Sequence, residues 1–378
     1  MEQGKRLKSN IFAIFANTWK VATIKDIPIK IHWSFWLLLL FVSYTAYSNG
    51  LSLLQSISFV GFFLITFLCV ILHEYGHALT ARRFGIKTED IIISPIGGLA
   101  RLQNMPEKPF QEFSIAIAGP LVNLVIGIIL SLILWISVGD VFPSTNGSEL
   151  NDPIEFVKYI NLVNFALFLF NLIPAFPMDG GRILRALLSV KLGRNVATKV
   201  SSLVGKGFAI IFIGIGIFYG NITLSIIGLF IFLMAGQEYS QTKIQSVLKG
   251  IVADKIMRTT FTRLHLSDTY TTVIQKYQAN NEHNFLVFDS LGNLSGAIPE
   301  LFIKDTIQTQ TQDKSVNQLM STNIIKIAPT MLITDVIDVM RTKGIAVMAV
   351  IEEQGNQEEI IGVLDRNLIE SYLRLHTK

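Results

Sequence analysis

Charged side chains are scarce in this sequence, and their scarcity argues against an ordinary soluble protein. Asp, Glu, Lys and Arg make up 16% of the 378 residues, whereas soluble domains carry about 25%. The deficit is concentrated in the first two thirds of the chain, which has long apolar stretches. The net charge of +4 gives no reason to expect a nucleic-acid partner. The composition therefore predicts a membrane protein with a polar C-terminal part.

Cysteine is nearly absent as well. Cys69 is the single cysteine, so an intramolecular disulfide is excluded and the cysteine count says nothing about the redox compartment. Cys69 lies in an apolar run, where we expect it to pack as a small apolar side chain.

Six apolar runs approach the roughly 20 residues that a membrane-spanning helix needs. They cover about residues 34–48, 53–81, 113–138, 156–173, 204–219 and 222–234. Basic loops and loops without an excess of Lys or Arg alternate between these runs. The alternation predicts six spans, with both termini in the cytoplasm.

The second run ends in His73-Glu74-Tyr75-Gly76-His77. On a helix, His73 and His77 stand on one face and can bind one zinc ion. Glu74 then lies beside the metal, where it can take a proton from water. Ionisable groups at membrane depth are costly and usually functional. The run continues for about 12 Å beyond His73, which predicts a metal site on the cytoplasmic side of the hydrocarbon layer.

A third metal ligand is expected from the end of the fourth run. Residues 171–182 contain two prolines and two glycines, which disfavour a continuous helix. Irregular backbone at membrane depth lines a cavity or is buried in protein. Asp179 lies in this segment, and with two histidines it would leave a fourth zinc position for water. The alternative is that Asp179 is only a turn residue of an Asp-Gly pair.

These motifs resemble those of the site-2 protease family of intramembrane zinc metalloproteases. The resemblance covers about residues 25–240 and is carried by 73–77, 94–99, 118–123 and 171–181. It implies that His73, His77 and Asp179 bind zinc and that Glu74 is the catalytic base. It also implies that Asn123 lies near the active site and helps to hold the substrate or the oxyanion. Judged from the residues alone, a helix–helix hydrogen bond explains Asn123 equally well.

Short strands are expected at the membrane surface. Residues 27–32 predict an edge strand because Pro28 suits an edge. Residues 86–103 predict further short strands with a turn at Gly97-Gly98. A strand edge beside the metal could pair with a locally unwound substrate.

The C-terminal part contains two similar α/β units, about 251–305 and 314–375, with Met257 and Met320 at equivalent places. They resemble a tandem pair of CBS domains, which often bind adenine nucleotides through an aspartate after the last strand. Leu301 and Asn367 stand at those places here, so a dimerisation or docking module is as good an interpretation.

The expected fold is therefore an α-helical membrane protein of six transmembrane helices with short membrane-associated β-strands and a C-terminal α/β CBS pair. The expected domains are an N-terminal cytoplasmic segment (1–33), a metalloprotease domain (34–240), a linker (241–250) and the CBS pair (251–378). The expected function is a multi-pass cell-membrane zinc endopeptidase that cuts a transmembrane protein substrate and is regulated by the CBS pair, which could also form a homodimer. The alternatives are a CBS-regulated transporter or channel and a non-proteolytic, metal-binding membrane sensor.

Overall fold

The computed structural model describes residues 18–103, 106, 108–144, 151–279, 282–309, 315–354 and 357–376. The chain divides into two compact units, Met1–Tyr239 and Ser240–Lys378. Most of the expected N-terminal cytoplasmic segment, residues 1–17, lies outside the described residues.

Helices dominate the first unit, and each of the six predicted apolar runs is helical over nearly its whole length. In chain order the helices are Trp33–Ser48 (α1), Leu53–Arg83 (α2), Pro109–Val138 (α3), Pro153–Asn171 (α4), Asp179–Leu192 (α5), Arg194–Phe218 (α6) and Ile222–Leu248 (α7). Five of them, α2, α3, α4, α6 and α7, are long and apolar enough to cross a membrane. The sixth, α1, is equally apolar but has 16 residues, fewer than the roughly 20 that a full crossing needs.

The outer surface of these helices is apolar, as a lipid environment requires. Ile136 is 80% exposed and Leu169 is 63% exposed, and many other large aliphatic side chains of these helices are also exposed on the surface. A soluble protein rarely presents a continuous apolar surface of this extent. The buried positions of the same helices instead include polar side chains such as Asn123 and Asn164.

One helix was not expected from the sequence. Helix α5 begins directly after the irregular segment 172–178 and lies between the fourth and fifth apolar runs, where the sequence predicted a loop. The first residue of α5 is Asp179. The helix therefore fixes the candidate third metal ligand at a helix N-terminus rather than in a flexible connection.

A four-stranded sheet packs beside α2. Its strands are Thr18–Ile24 (β1), Ile27–His32 (β2), Thr88–Ser94 (β3) and Gly97–Leu102 (β4), in the order β1-β2-β3-β4. The prediction that residues 27–32 form an edge strand is wrong, because β1 pairs with the outer side of β2. Pro28 is tolerated since the pairing of β2 with β3 begins only at Ile29.

The second unit contains two copies of one α/β arrangement. The first consists of Arg263–His265 (β5), Tyr270–Ala279 (α8), Phe285–Phe288 (β6), Leu294–Ile298 (β7) and Glu300–Thr309 (α9). The second consists of Val316–Leu319 (α10), Ile325–Ile327 (β8), Ile333–Lys343 (α11), Val347–Gln354 (β9), Gln357–Asp365 (β10) and Arg366–His376 (α12). In each copy the first strand pairs parallel with the second, and the second pairs antiparallel with the third.

The two copies exchange equivalent contacts. A Cβ at Gly296 would lie 2.8 Å from the sulfur of Met320, and a Cβ at Gly362 would lie 2.7 Å from the sulfur of Met257. Each copy thus places its methionine against a glycine of the other copy. This reciprocity confirms the internal repeat and shows that the pair forms one folded body.

Candidate metal centre and its surroundings

Helix α2 presents two imidazoles on one buried face. His73 and His77 are four residues apart, and their ring centroids are 4.8 Å apart with the planes at 78°. Both side chains are buried within the first unit. The i, i+4 spacing of a helix places them one turn apart on the same side, which the sequence predicted.

Asp179 reaches these imidazoles because the backbone before it is folded tightly. Helix α4 ends at Asn171, and the Ala175 and Met178 amides donate to the carbonyls of Ile173 and Ala175. A Cβ at Gly181 would lie 2.7 Å from the Phe176 amide nitrogen. Glycine is therefore required at this position, two residues after Asp179, where the start of α5 packs on this segment.

The two histidines and the aspartate bring three ligand atoms together. The Nε2 atoms of His73 and His77 are 3.1 Å apart, and each lies 3.1 Å from Asp179 Oδ2. Nitrogen and oxygen ligands at 2.0–2.1 Å from a tetrahedral zinc ion are separated by about 3.3 Å. Among the described residues, these three form the one group of His, Cys, Asp or Glu side chains with this metal-binding arrangement.

The hydrogen bonds of the outer ring nitrogens decide where the lone pairs point. His77 Nδ1 lies 2.7 Å from the Ile115 carbonyl oxygen, and His73 Nδ1 lies 2.6 Å from Asn123 Oδ1. Both partners are acceptors, so each Nδ1 carries the proton and donates it. A neutral imidazole protonated on Nδ1 has its lone pair on Nε2, the atom that lies 3.1 Å from the Asp179 carboxylate in both residues. Three electron-rich groups facing one another at this distance fit a divalent cation.

Gly119 of α3 leaves room at this point. A Cβ added to Gly119 would collide with His77 Nε2 and lie 2.6 Å from His73 Nε2. Because Gly119 has no side chain, α3 leaves open the space that the three ligand atoms face.

Glu74 points to the edge of the sheet. Its Oε2 accepts a hydrogen bond from the Ala100 amide of β4 at 3.0 Å, and a Cβ at Gly98 would lie 2.6 Å from its Cγ. Strand β4 has β3 as its one sheet neighbour among the described residues. Because amides of an antiparallel strand alternate in direction, the Gly98 amide shares the outer side of β4 with that of Ala100.

Asn123 is completely buried on α3, and both ends of its amide have partners. Its Oδ1 accepts from His73, and its Nδ2 donates to Asn164 Oδ1 at 3.0 Å. The structure therefore brings Asn123 to the candidate metal site through hydrogen bonds between helices. Sequence reasoning missed Asn164, although an amide in an apolar run is a signal of a buried polar contact.

A buried ion cluster holds α5, the helix that begins with Asp179. The guanidinium of Arg185 donates to Glu112 of α3 at 2.7 Å and to Glu238 of α7 at 2.7 Å. Arg185 also lies over the Phe176 ring, 5.0 Å from its centroid. The cluster ties three helices together close to the candidate ligand.

The C-terminal unit shows where the two expected nucleotide-contact positions lie. The Asn367 amide donates to Glu300 Oε2 at 3.3 Å, while Leu301 is 77% exposed. The adjacent Asp365 is buried and accepts from Asn284 at 3.0 Å.

The fold and the site together define a protein with helices long and apolar enough to span a membrane and with a buried His-His-Asp group that could hold a metal ion. Residues 61–150 and 137–215 match the family model described as Peptidase family M50, and residues 316–373 match the model of the CBS domain.

Curated relatives agree with these matches. A zinc metalloprotease of Methanocaldococcus jannaschii is 39% identical over 236 residues, which cover 62% of this chain and 64% of the relative. A putative zinc metalloprotease of Synechocystis is 28% identical over 256 residues, which cover 63% of this chain and 64% of the relative. The chain thus spans just under two thirds of the length of these relatives.

A solved site-2 protease from Methanocaldococcus jannaschii shows 36% sequence identity, covers 59% of this chain and 95% of its own, and has a TM-score of 0.44. Residues 61–215 are thus similar to peptidase family M50, the site-2 protease family, and the C-terminal unit carries a match to the CBS domain.

Proposed function

We propose that this protein is an intramembrane zinc endopeptidase that hydrolyses a peptide bond within or near a transmembrane segment of a membrane-bound substrate. The observation that carries the proposal is the meeting of three metal-ligand atoms from α2 and α5 with Glu74 one residue from the first ligand. In this proposal His73, His77 and Asp179 hold one zinc ion, and Glu74 is the general base.

The proposed chemistry divides between the ion and the side chain. Bound zinc would lower the pKa of a water molecule to about 7 and polarise the scissile carbonyl. Glu74 accepts the proton of the attacking water and later delivers it to the leaving amine. Burial of the three ligand side chains limits the entry of other water molecules and strengthens these interactions.

The outer edge of β4 supplies a binding place for the substrate backbone. A helical substrate must unwind before cleavage, because its carbonyls are hydrogen-bonded within the helix. An unwound segment can add to the edge of β4 as a further strand. Such a strand competes with Glu74 for the Ala100 N–H, so its binding would release the carboxylate for catalysis. Crosslinks from a trapped peptide to β4 are expected, and their complete absence would count against this step.

The remaining expectations about topology and domains belong to the same proposal. The alternation of basic loops supports a topology with both termini in the cytoplasm and the zinc site on the cytoplasmic side of the membrane. Residues 34–240 would form the protease domain and residues 251–378 a cytosolic regulatory CBS pair, joined by 241–250. The contact of Asn367 with Glu300 occupies one expected nucleotide-contact position, which supports a docking or homodimerising module at least as well as an adenine-nucleotide site.

The experiment uses the full chain in lipid vesicles with a panel of model transmembrane peptides. We expect one zinc per chain and cleavage that Glu74→Gln abolishes without loss of zinc. Glu155→Gln is the matched control, since Glu155 is a buried carboxylate whose partners are Ser144 and Lys158. Cleavage by the Glu74→Gln variant would refute the assigned base. Full zinc without cleavage of any peptide would favour the non-proteolytic sensor.

A further inference from the structure

The two zinc-facing histidines are anchored in different ways. His77 donates its Nδ1 proton directly to a backbone carbonyl, that of Ile115 on α3. His73 donates to a side-chain amide, that of Asn123. A side-chain amide can rotate and present its NH₂ group instead of its oxygen, so a further contact must decide its orientation.

Asn164 of α4 makes that contact. Its Nδ2 donates to the carbonyl oxygen of Ile160 at 2.9 Å and lies 3.4 Å from the sulfur of Cys69. A main-chain carbonyl can only accept, so the NH₂ group of Asn164 must face Ile160, and its Oδ1 must face Asn123. The Asn164 side chain is completely buried, which leaves no water to substitute for these partners.

The orientation of Asn164 determines those that follow. Because Asn164 presents its oxygen, Asn123 must turn its own NH₂ group toward Asn164, at 3.0 Å. Asn123 then has only its oxygen left for His73, and His73 must carry its proton on Nδ1. The lone pair of His73 is consequently on Nε2, the atom that lies 3.1 Å from Asp179.

We propose that Asn164 is a positioning residue of the metal centre: acting through Asn123, it holds His73 in the tautomer that can bind zinc. The proposal rests on the zinc site described under the proposed function. It assigns a role in the site to α4, which contributes none of the three ligands. Both imidazoles are then oriented by main-chain carbonyls, His77 by that of Ile115 and His73 by that of Ile160 through two amides.

The chain offers a matched control on the same helix. Asn161 of α4 is also buried, but its amide exchanges hydrogen bonds with Ser131 of α3, at 3.0 Å from Nδ2. Asn161→Leu and Asn164→Leu therefore make the same chemical change in one helix and break an α3–α4 contact in each case. Only Asn164→Leu breaks a hydrogen bond that is connected to His73, through Asn123.

The test measures zinc affinity of the full chain by competition with a chromophoric chelator. Loss of an outer partner of a ligating histidine typically costs 10- to 100-fold in metal affinity, and we expect Asn164→Leu to lose about that much while Asn161→Leu keeps the parental affinity. Asn123→Leu should show the same loss, and adding Asn164→Leu to it should cost nothing further, because both act on one histidine. Should Asn164→Leu not be recovered folded, Asn164→Ala carries the same expectation.

A spectroscopic readout separates positioning from packing. Nitrogen NMR of labelled histidine should show His73 protonated on Nδ1 in the parent and in Asn161→Leu, and a mixture of tautomers in Asn164→Leu. Parental zinc affinity and a single tautomer in Asn164→Leu would overturn the proposal, as would losses that multiply in the double variant. A parent chain that binds no zinc would refute the proposed function itself. That result concerns the parent alone, so it is distinguishable from any difference between the parent and the variants.

Discussion

Gly119→Ala adds one methyl group at the point that the three ligand atoms face. The added carbon would lie 2.6 Å from His73 Nε2, whereas ordinary contacts are 3.4–4 Å. The imidazole must therefore retreat by roughly 0.8 Å, and His77 Nε2, which would be closer still, must move farther. Zinc–nitrogen distances tolerate deviations of about 0.2 Å. The substitution is thus expected to prevent both histidines from binding the ion together.

The helix itself should not suffer from this change, because alanine is favoured over glycine in a helix interior by about 0.8–1 kcal/mol. We therefore expect Gly119→Ala to fold and to lose zinc affinity by more than the 100-fold that removal of an outer partner can cost. The assay is a chelator competition on purified full chain, with thermal unfolding measured in parallel.

Gly127→Ala is the matched control. It is the same substitution in the same helix, but its Cβ would lie 3.1 Å from the Phe165 ring, away from the ligands. We expect a small change in stability and unchanged zinc affinity. A Gly119→Ala chain that binds one zinc as tightly as the Gly127→Ala chain would refute the geometry of the site.

Two further predictions concern buried charges. Burial raises the pKa of Asp90, but hydrogen bonds from Arg101 and Lys30 outweigh it and hold that pKa below its ordinary value. Asp90→Asn should therefore lower the free energy of unfolding at neutral pH. In acid, the difference in unfolding free energy between variant and parent should vanish as the pH falls below the folded-state pKa of Asp90. A difference that does not depend on pH would contradict this. Arg185→Leu removes the hydrogen-bond partner of the buried Glu112 and of the half-buried Glu238, and it should cost about 3–5 kcal/mol. Adding Glu112→Gln should restore part of this loss in thermal unfolding. No restoration would contradict the pairing with Glu112.

The meeting of the three candidate metal ligands could be anticipated because it depends on local rules. The i, i+4 spacing of His73 and His77 defines a helix face before any tertiary contact is known. Pro174 and Pro177 predict the irregular backbone that precedes Asp179. The apolar runs likewise predicted each long helix of the first unit, since membrane helices are defined by length and hydropathy.

The features that were missed depend on how elements pack. The hydrogen bonds from Asn164 to His73 require a particular rotation of α4 against α3, which no spacing in either helix specifies. The interior position of β2 depends on β1, whose pairing is not apparent from its own residues. The helix α5 follows a segment that looks like a loop, and its burial against Glu112 and Glu238 comes from distant parts of the chain.

Zinc-edge X-ray absorption of the full chain in lipid tests the central claim most directly. The three-ligand site predicts one zinc per chain with nitrogen and oxygen neighbours at about 2.0–2.1 Å, including two imidazoles and no sulfur. Asp179→Ala should remove one oxygen neighbour or the metal itself. A sulfur shell at about 2.3 Å, or a folded chain without zinc, would contradict the account.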